Sequence, residues 1–296
     1  MLKIVASKYA IIKNTFFIFT VSLAFVLYAC NNSGKDEEPL ATTVRIPTTG
    51  YTSPSSYPNM DLLWADEFNT TSLSAGQWNF QIGNGCPAIC GWGNNESEYY
   101  KKENTTLKDG FLIIEAKKEN EGNNQYTSSR INTQGKFSFH YGRVDVRAVL
   151  PEGKGIWPAI WMLGENISTV GWPASGEIDI MEMIGGGQQE KTIHGTAHWS
   201  ANGNHAQSSG SYSLSSGTFH DEFHVFSILW NAEKISWYVD DIKYHEVAIS
   251  PSELSAFQKD FHFLINLAVG GNWPGNPDTT TPFPQYLIVD YIRVFQ

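Results

Sequence analysis

From residue 60 onward, short apolar or alternating runs recur every 10 to 15 residues, with Gly, Asn, Asp and Pro between them. FLIIEAK at 111–117, IWPAIWML at 156–163, EIDIMEMI at 177–184, TIHGTAHW at 192–199, FHVFSILW at 223–230, FHFLINLAV at 261–269 and YLIVDYIRVF at 286–295 carry the rhythm, with longer runs at 135–150 and 234–247. Runs of this length, rich in β-branched and aromatic residues, read as strands joined by turns. Only 250–258, SPSELSAFQ, reads as a turn or two of helix. No repeat of 20–50 residues is visible, so one all-β domain, a sandwich of two antiparallel sheets, accounts for residues 59–296. The low charged fraction of 17% and the 14% aromatic content fit strands better than solvated helices.

The first 29 residues read as an export signal and are set aside. Lys3, Lys8 and Lys13 precede an apolar run at 16–29, which is shorter than the roughly 20 residues a spanning helix needs. The run ends Leu27-Tyr28-Ala29-Cys30, resembling a bacterial lipobox, so Cys30 is expected to be lipidated and the chain held at the cell envelope. Residues 30–58, rich in Ser, Thr, Pro and charge, read as a flexible tether. Loss of the three signal lysines takes the formal charge from −10 to −13. Such a chain repels phosphate backbones, which excludes nucleic acid and favours a neutral substrate. Cys86 and Cys90 remain as a pair; a local disulfide is the simplest assignment in an exported protein, since a metal site lacks two further ligands nearby.

Glu177, Asp179 and Glu182 lie within six residues of an otherwise apolar strand. Alternation puts Glu177 and Asp179 on one face and Ile178 and Ile180 on the other, but would send Glu182 inward. One extra residue around Ile180–Met181, a β-bulge, returns Glu182 to the acidic face. Two glutamates so placed bring their carboxyl groups to about 5–6 Å, the spacing of a retaining glycosidase, whose nucleophile and acid flank one linkage. Asp179 between them supplies the like charge that splits their titration. A calcium cluster is the competing reading of packed acids. His220 and His224 lack the order of residues of a zinc motif, and no phosphate loop or serine elbow is present.

EIDIMEMIG resembles the active-site signature of glycoside hydrolase family 16 in its bulged form. GNGCPAICGWGNNESEYY at 83–100, the segment at 128–151, GIWPAIWML, HGTAHW, NLAVGGNWPG and VDYIRVFQ follow in the family's order, most similar to its laminarinase branch. The resemblance implies a jelly-roll, concanavalin-like sandwich with a cleft on the concave face of one sheet. It implies Glu177 as nucleophile, Glu182 as acid/base and Asp179 as assisting carboxylate. Sugar is expected to meet Asn95, Arg130, Trp157, Trp161, His198, Asn266 and Trp273. No cofactor is needed for the chemistry, but the resemblance implies a structural calcium ion held by Asp290 with backbone carbonyls near Glu67 and Gly110. The expected activity is endo-hydrolysis of β-1,3-glucan by a monomer. Mixed-linkage glucan or a galactan is the alternative substrate, and a non-catalytic glycan-binding lipoprotein the alternative class.

Overall fold

A computed structural model describes residues 44–296. The expected signal segment and Cys30 lie outside the described residues. Two antiparallel sheets face each other across one apolar core. The back sheet runs Ile242–Ala248, Lys234–Val239, His224–Trp230, Gly142–Val149, Gln285–Phe295, Phe111–Ala116 and Thr105–Lys108, with Leu62–Asp66 also paired to Gln285–Phe295. The cleft sheet runs Asn204–Ser213, Thr192–Ala201, Glu177–Glu182, Ile156–Gly164, Phe261–Val269, Arg130–Asn132 and Asn79–Phe80. The run at 250–258 forms a 3₁₀ segment, Ser252–Gln258.

Alternation builds the core. Val144, Val146 and Ala148 of the back sheet and Ile160, Met162, Ile178 and Ile265 of the cleft sheet are all fully buried. Trp230 and Trp237 fill the space between the sheets. Two departures from the expected strands have simple causes. The run at 234–247 is a hairpin, because Asp240 and Asp241 both take positive φ and make the two-residue turn that matches strand twist. Asn204–Ser213 is a strand despite its polar sequence, since it forms the edge of the cleft sheet and follows the Asn202-Gly203 turn.

The tether requires a correction over its described part. Residues 44–58 are packed along the back sheet. Val44 and Ile46 cover Ile113, Val149, Phe223 and Ile288. Phe223 donates its amide to Thr49 and accepts from that of Tyr51 at 2.8 Å. Ser53, 4% exposed, donates its amide to the Tyr291 hydroxyl at 2.9 Å, and Tyr57 donates to Asp145 at 2.6 Å. The polar composition that reads as a linker is used here to hydrogen-bond a strap onto the sheet.

Candidate active site

The strand Glu177–Glu182 carries the expected bulge. Glu177 pairs with Leu163 and Asp179 with Trp161, but Met181 then pairs with Ile160, so Ile180 has no counterpart on that side. On the other side the four residues from Asp179 to Glu182 oppose the three from Thr196 to His194. Ile178, Ile180 and Met181 all enter the core, while Glu177, Asp179 and Glu182 line one cleft. Trp237, reaching from the back sheet, donates its indole N–H to the carbonyl of Asp179 at 2.8 Å. Gly195 makes room for that approach, because a Cβ there would lie 2.4 Å from the Trp237 ring.

Each acid has its own partners. Trp172 donates to Glu177 Oε2 at 3.0 Å, and Trp157 donates to Glu182 Oε1 at 3.1 Å. His198 Nε2 lies 2.9 Å from Asp179 Oδ2 and 3.6 Å from Glu177 Oε1. Burial, joined for the two glutamates by the negative charge of Asp179, pushes Glu177, Asp179 and Glu182 each up to about 8. His198 and the indole donors work in the opposite direction on the glutamates. Acids this close titrate as one group, so the site retains protons at neutral pH while its hydrogen-bond donors stabilise an anion. A site that holds one acid protonated beside an ionised one is equipped for acid-assisted nucleophilic substitution.

Around the acids is a cleft of about 740 Å³. Arg130, Trp157, Trp161, His198, Asn266 and Trp273 all line it. The Arg130 guanidinium sits between two indoles, 4.6 Å from the Trp92 ring and 4.9 Å from that of Trp161. Trp161 donates to Asn266 at 2.8 Å, and Trp273 stands edge-on to Trp157 with ring centres 5.6 Å apart. Asn95 requires a correction: it is not among the lining residues, and its side chain donates to Asn272 at 2.8 Å, joining two loops of the rim. The neighbouring Asn94 takes the lining position instead. Cys86 and Cys90 are disulfide-bonded at the base of this loop.

Sequence reasoning missed Trp172, Trp92, Glu96, His205 and Gln207, all of which line the cleft. Trp92 and Glu96 lay within the quoted 83–100 segment. His205 and Gln207 lay on the polar edge strand, which the Asn202-Gly203 turn signal would have revealed.

The calcium expectation meets competing partners. Asp290 accepts from Arg147 at 2.6 Å, and Glu67 accepts from Arg293 at 2.7 and 2.9 Å. The Asp290 carboxylate is thus already paired with a guanidinium, whereas the other expected ligands, near Glu67 and Gly110, are backbone carbonyls that the Glu67–Arg293 pair does not engage. Among the described residues the one group of three ligand side chains close enough to share an ion is Glu177, Asp179 and His198, within the cleft itself. His224, dismissed as a zinc ligand, pairs with Asp240 at 2.7 Å.

Paired glutamates on a bulged strand, set in an indole-walled cleft across a β-sandwich, define a carbohydrate-cleaving hydrolase. The family model for glycosyl hydrolases family 16 matches residues 90–292, and the chain belongs to this family of glycoside hydrolases. It is 37% identical to a β-glucanase of Rhodothermus marinus over 295 residues, with 94% of each chain covered. It is 38% identical to the clotting factor G alpha subunit of Tachypleus tridentatus over 82% of this chain, but spans only 35% of that longer protein. Among solved structures, the laminarinase catalytic domain of Thermotoga maritima superposes with a TM-score of 0.74 at 46% identity, covering 80% of this chain and 98% of that one.

Proposed function

We propose that the chain is a retaining endo-β-1,3-glucanase, acting on laminarin-type polysaccharide by double displacement. The observation that carries the reading is the bulge at Ile180, which turns Glu182 onto the face of Glu177; the similarity to laminarinases supports the substrate. Glu182, protonated, gives its proton to the glycosidic oxygen as that bond breaks. Glu177, deprotonated, attacks the anomeric carbon and forms an ester. Water then loses a proton to Glu182 and displaces Glu177, so the configuration is retained. Indole faces at Trp157, Trp161 and Trp273 suit the C–H faces of sugar rings, and Arg130 and Asn266 supply hydrogen bonds to hydroxyls.

The test is a panel of laminarin, lichenan, agarose and carrageenan, with the anomer of the first product read by NMR. Fastest release from laminarin with the β anomer first supports the reading; an α anomer, or preference for a galactan, overturns it. We further propose export and lipid attachment at Cys30. Membrane-fraction labelling that is lost in C30A tests this.

A further inference from the structure

A relay of hydrogen bonds runs from Trp161 and Asn266 on the cleft floor, through the buried Tyr100, to Glu96 on the cleft lining. Trp161 donates to Asn266 Oδ1 at 2.8 Å, Asn266 donates its Nδ2 to the Tyr100 hydroxyl at 3.2 Å, and Tyr100 donates to Glu96 Oε2 at 2.9 Å. Asn94 donates to the other oxygen of Glu96 at 3.0 Å. Tyr100, Asn266 and Glu96 are buried, with at most 7% exposure. Every member is therefore held by protein partners, and reversing any one of them leaves a buried polar group unmet.

The direction of the chain follows from counting protons. A tyrosine hydroxyl has one proton to give. Burial raises Tyr100 far above its ordinary range, so that proton is kept. Glu96 accepts it as a hydrogen bond, and the Tyr100 oxygen has only lone pairs left for Asn266. The amide of Asn266 must then present its NH₂ to Tyr100 and its carbonyl to Trp161. A flipped amide would set its carbonyl against those lone pairs and its NH₂ against the indole N–H. Next to Glu96, Glu98 is fully buried, with Oε2 accepting from the Val269 amide at 2.6 Å and Oε1 lacking a hydrogen-bond partner. Burial, and then the nearby Glu96, hold Glu98 well above the usual carboxylate range.

We propose that Glu96 is a positioning residue for sugar binding: by accepting the hydrogen bond of the Tyr100 hydroxyl it fixes the amide of Asn266, and through it the ring of Trp161 on the cleft floor. Arg130 holds the same ring by its face, so Trp161 is fixed both at its edge and on its plane. The relay joins the loop that follows the disulfide to the strand Phe261–Val269, which places one wall of the cleft in register with its floor. This inference rests on the reading of the cleft as a glucan site.

Y100F removes one hydroxyl and both of its bonds while keeping the ring. Loss of about one net hydrogen bond's worth of positioning raises KM for laminarin about fivefold, with kcat within about twofold. The ¹H–¹⁵N resonance of the Trp161 indole, assigned by its loss in W161F, moves upfield as its acceptor is freed. E96L repeats both effects, and E96Q, which keeps an acceptor oxygen, recovers most of the parent KM. An unmoved indole resonance in Y100F overturns the proposal whatever KM does. A moved resonance with parent KM overturns it too, since Trp161 would then be held for packing alone. If the parent fails to cut laminarin, the functional reading fails, and the indole resonance still decides whether the relay sets Trp161.

Discussion

The indole N–H of Trp237 lies 2.8 Å from the backbone carbonyl of Asp179, joining the back sheet to the strand of the three acids where that strand bulges. The bulge interrupts the ladder, and a buried carbonyl without a donor is costly, so Trp237 supplies from outside the sheet what the sheet gives up. W237F is expected to keep the fold, lower the melting temperature by several degrees and lower kcat about tenfold, since about 1–3 kcal/mol of unmet carbonyl is relieved by shifting the strand. Parent kcat in a less stable W237F would show that the bond serves stability only. Thermal melts and laminarin kinetics on one preparation check this.

Removing the acid should hurt in proportion to how badly the leaving group needs a proton. E182Q is expected to lose about 10²–10⁴-fold in kcat on laminarin, and far less on an aryl glycoside with an acidic phenol. E177Q should lose activity on both, because no leaving group replaces the nucleophile. Equal losses on the two substrates in E182Q would remove Glu182 from the acid role.

The three raised acids give stability a definite pH dependence. Between about 4.5 and 8 the folded protein holds protons that the unfolded chain has released. Stability is therefore full below the unfolded values and falls as pH rises through about 8. E182Q, which has no proton to lose, should flatten that fall and melt higher than the parent at pH 8. D179N removes the charge that raises both glutamates, so the alkaline limb of its activity profile should move to lower pH. Melting curves from pH 4 to 9 and a kcat/KM profile read the two effects.

A chain begun at residue 59 should be markedly less stable than one begun at residue 44. The shorter form uncovers Phe223, Ile288 and the Tyr291 hydroxyl, all buried beneath the strap. G50V tests the same contact in the full chain, because a Cβ at Gly50 would meet the Phe223 carbonyl at 2.1 Å. Equal melting temperatures for the two forms would restore the tether reading over 44–58.

Chelation with EGTA should leave the melting temperature where it was, since Arg147 already neutralises Asp290. D290N should lower it slightly by stranding the guanidinium. A clear rise on adding calcium, lost in D290N, would instead restore the ion that the resemblance implies.

Much of this protein was legible without coordinates. The strand rhythm follows from alternation, which is local, and the bulge followed from one fact: three acids and an odd spacing on a strand that buries its other face. The tryptophans at 157 and 161 share a face because they are four apart on one strand, while it was the family resemblance that implied this face to be the cleft. What depends on distant chain was not. Trp172 reaches Glu177 from a loop, and His205 reaches His198 from the edge strand Asn204–Ser213.

The sequence by itself determined a sandwich, an acidic strand face and the residue where that strand must bulge, because side-chain alternation and hydrophobic burial act over a few neighbouring residues. Only the tertiary structure decided that residues 44–58 are a strap, that Asn95 faces Asn272, and that Asp290 and Glu67 are matched by arginines. Hydrogen bonds and ion pairs between residues far apart in the chain depend on which loops the closed fold brings together, and no local pattern encodes that meeting.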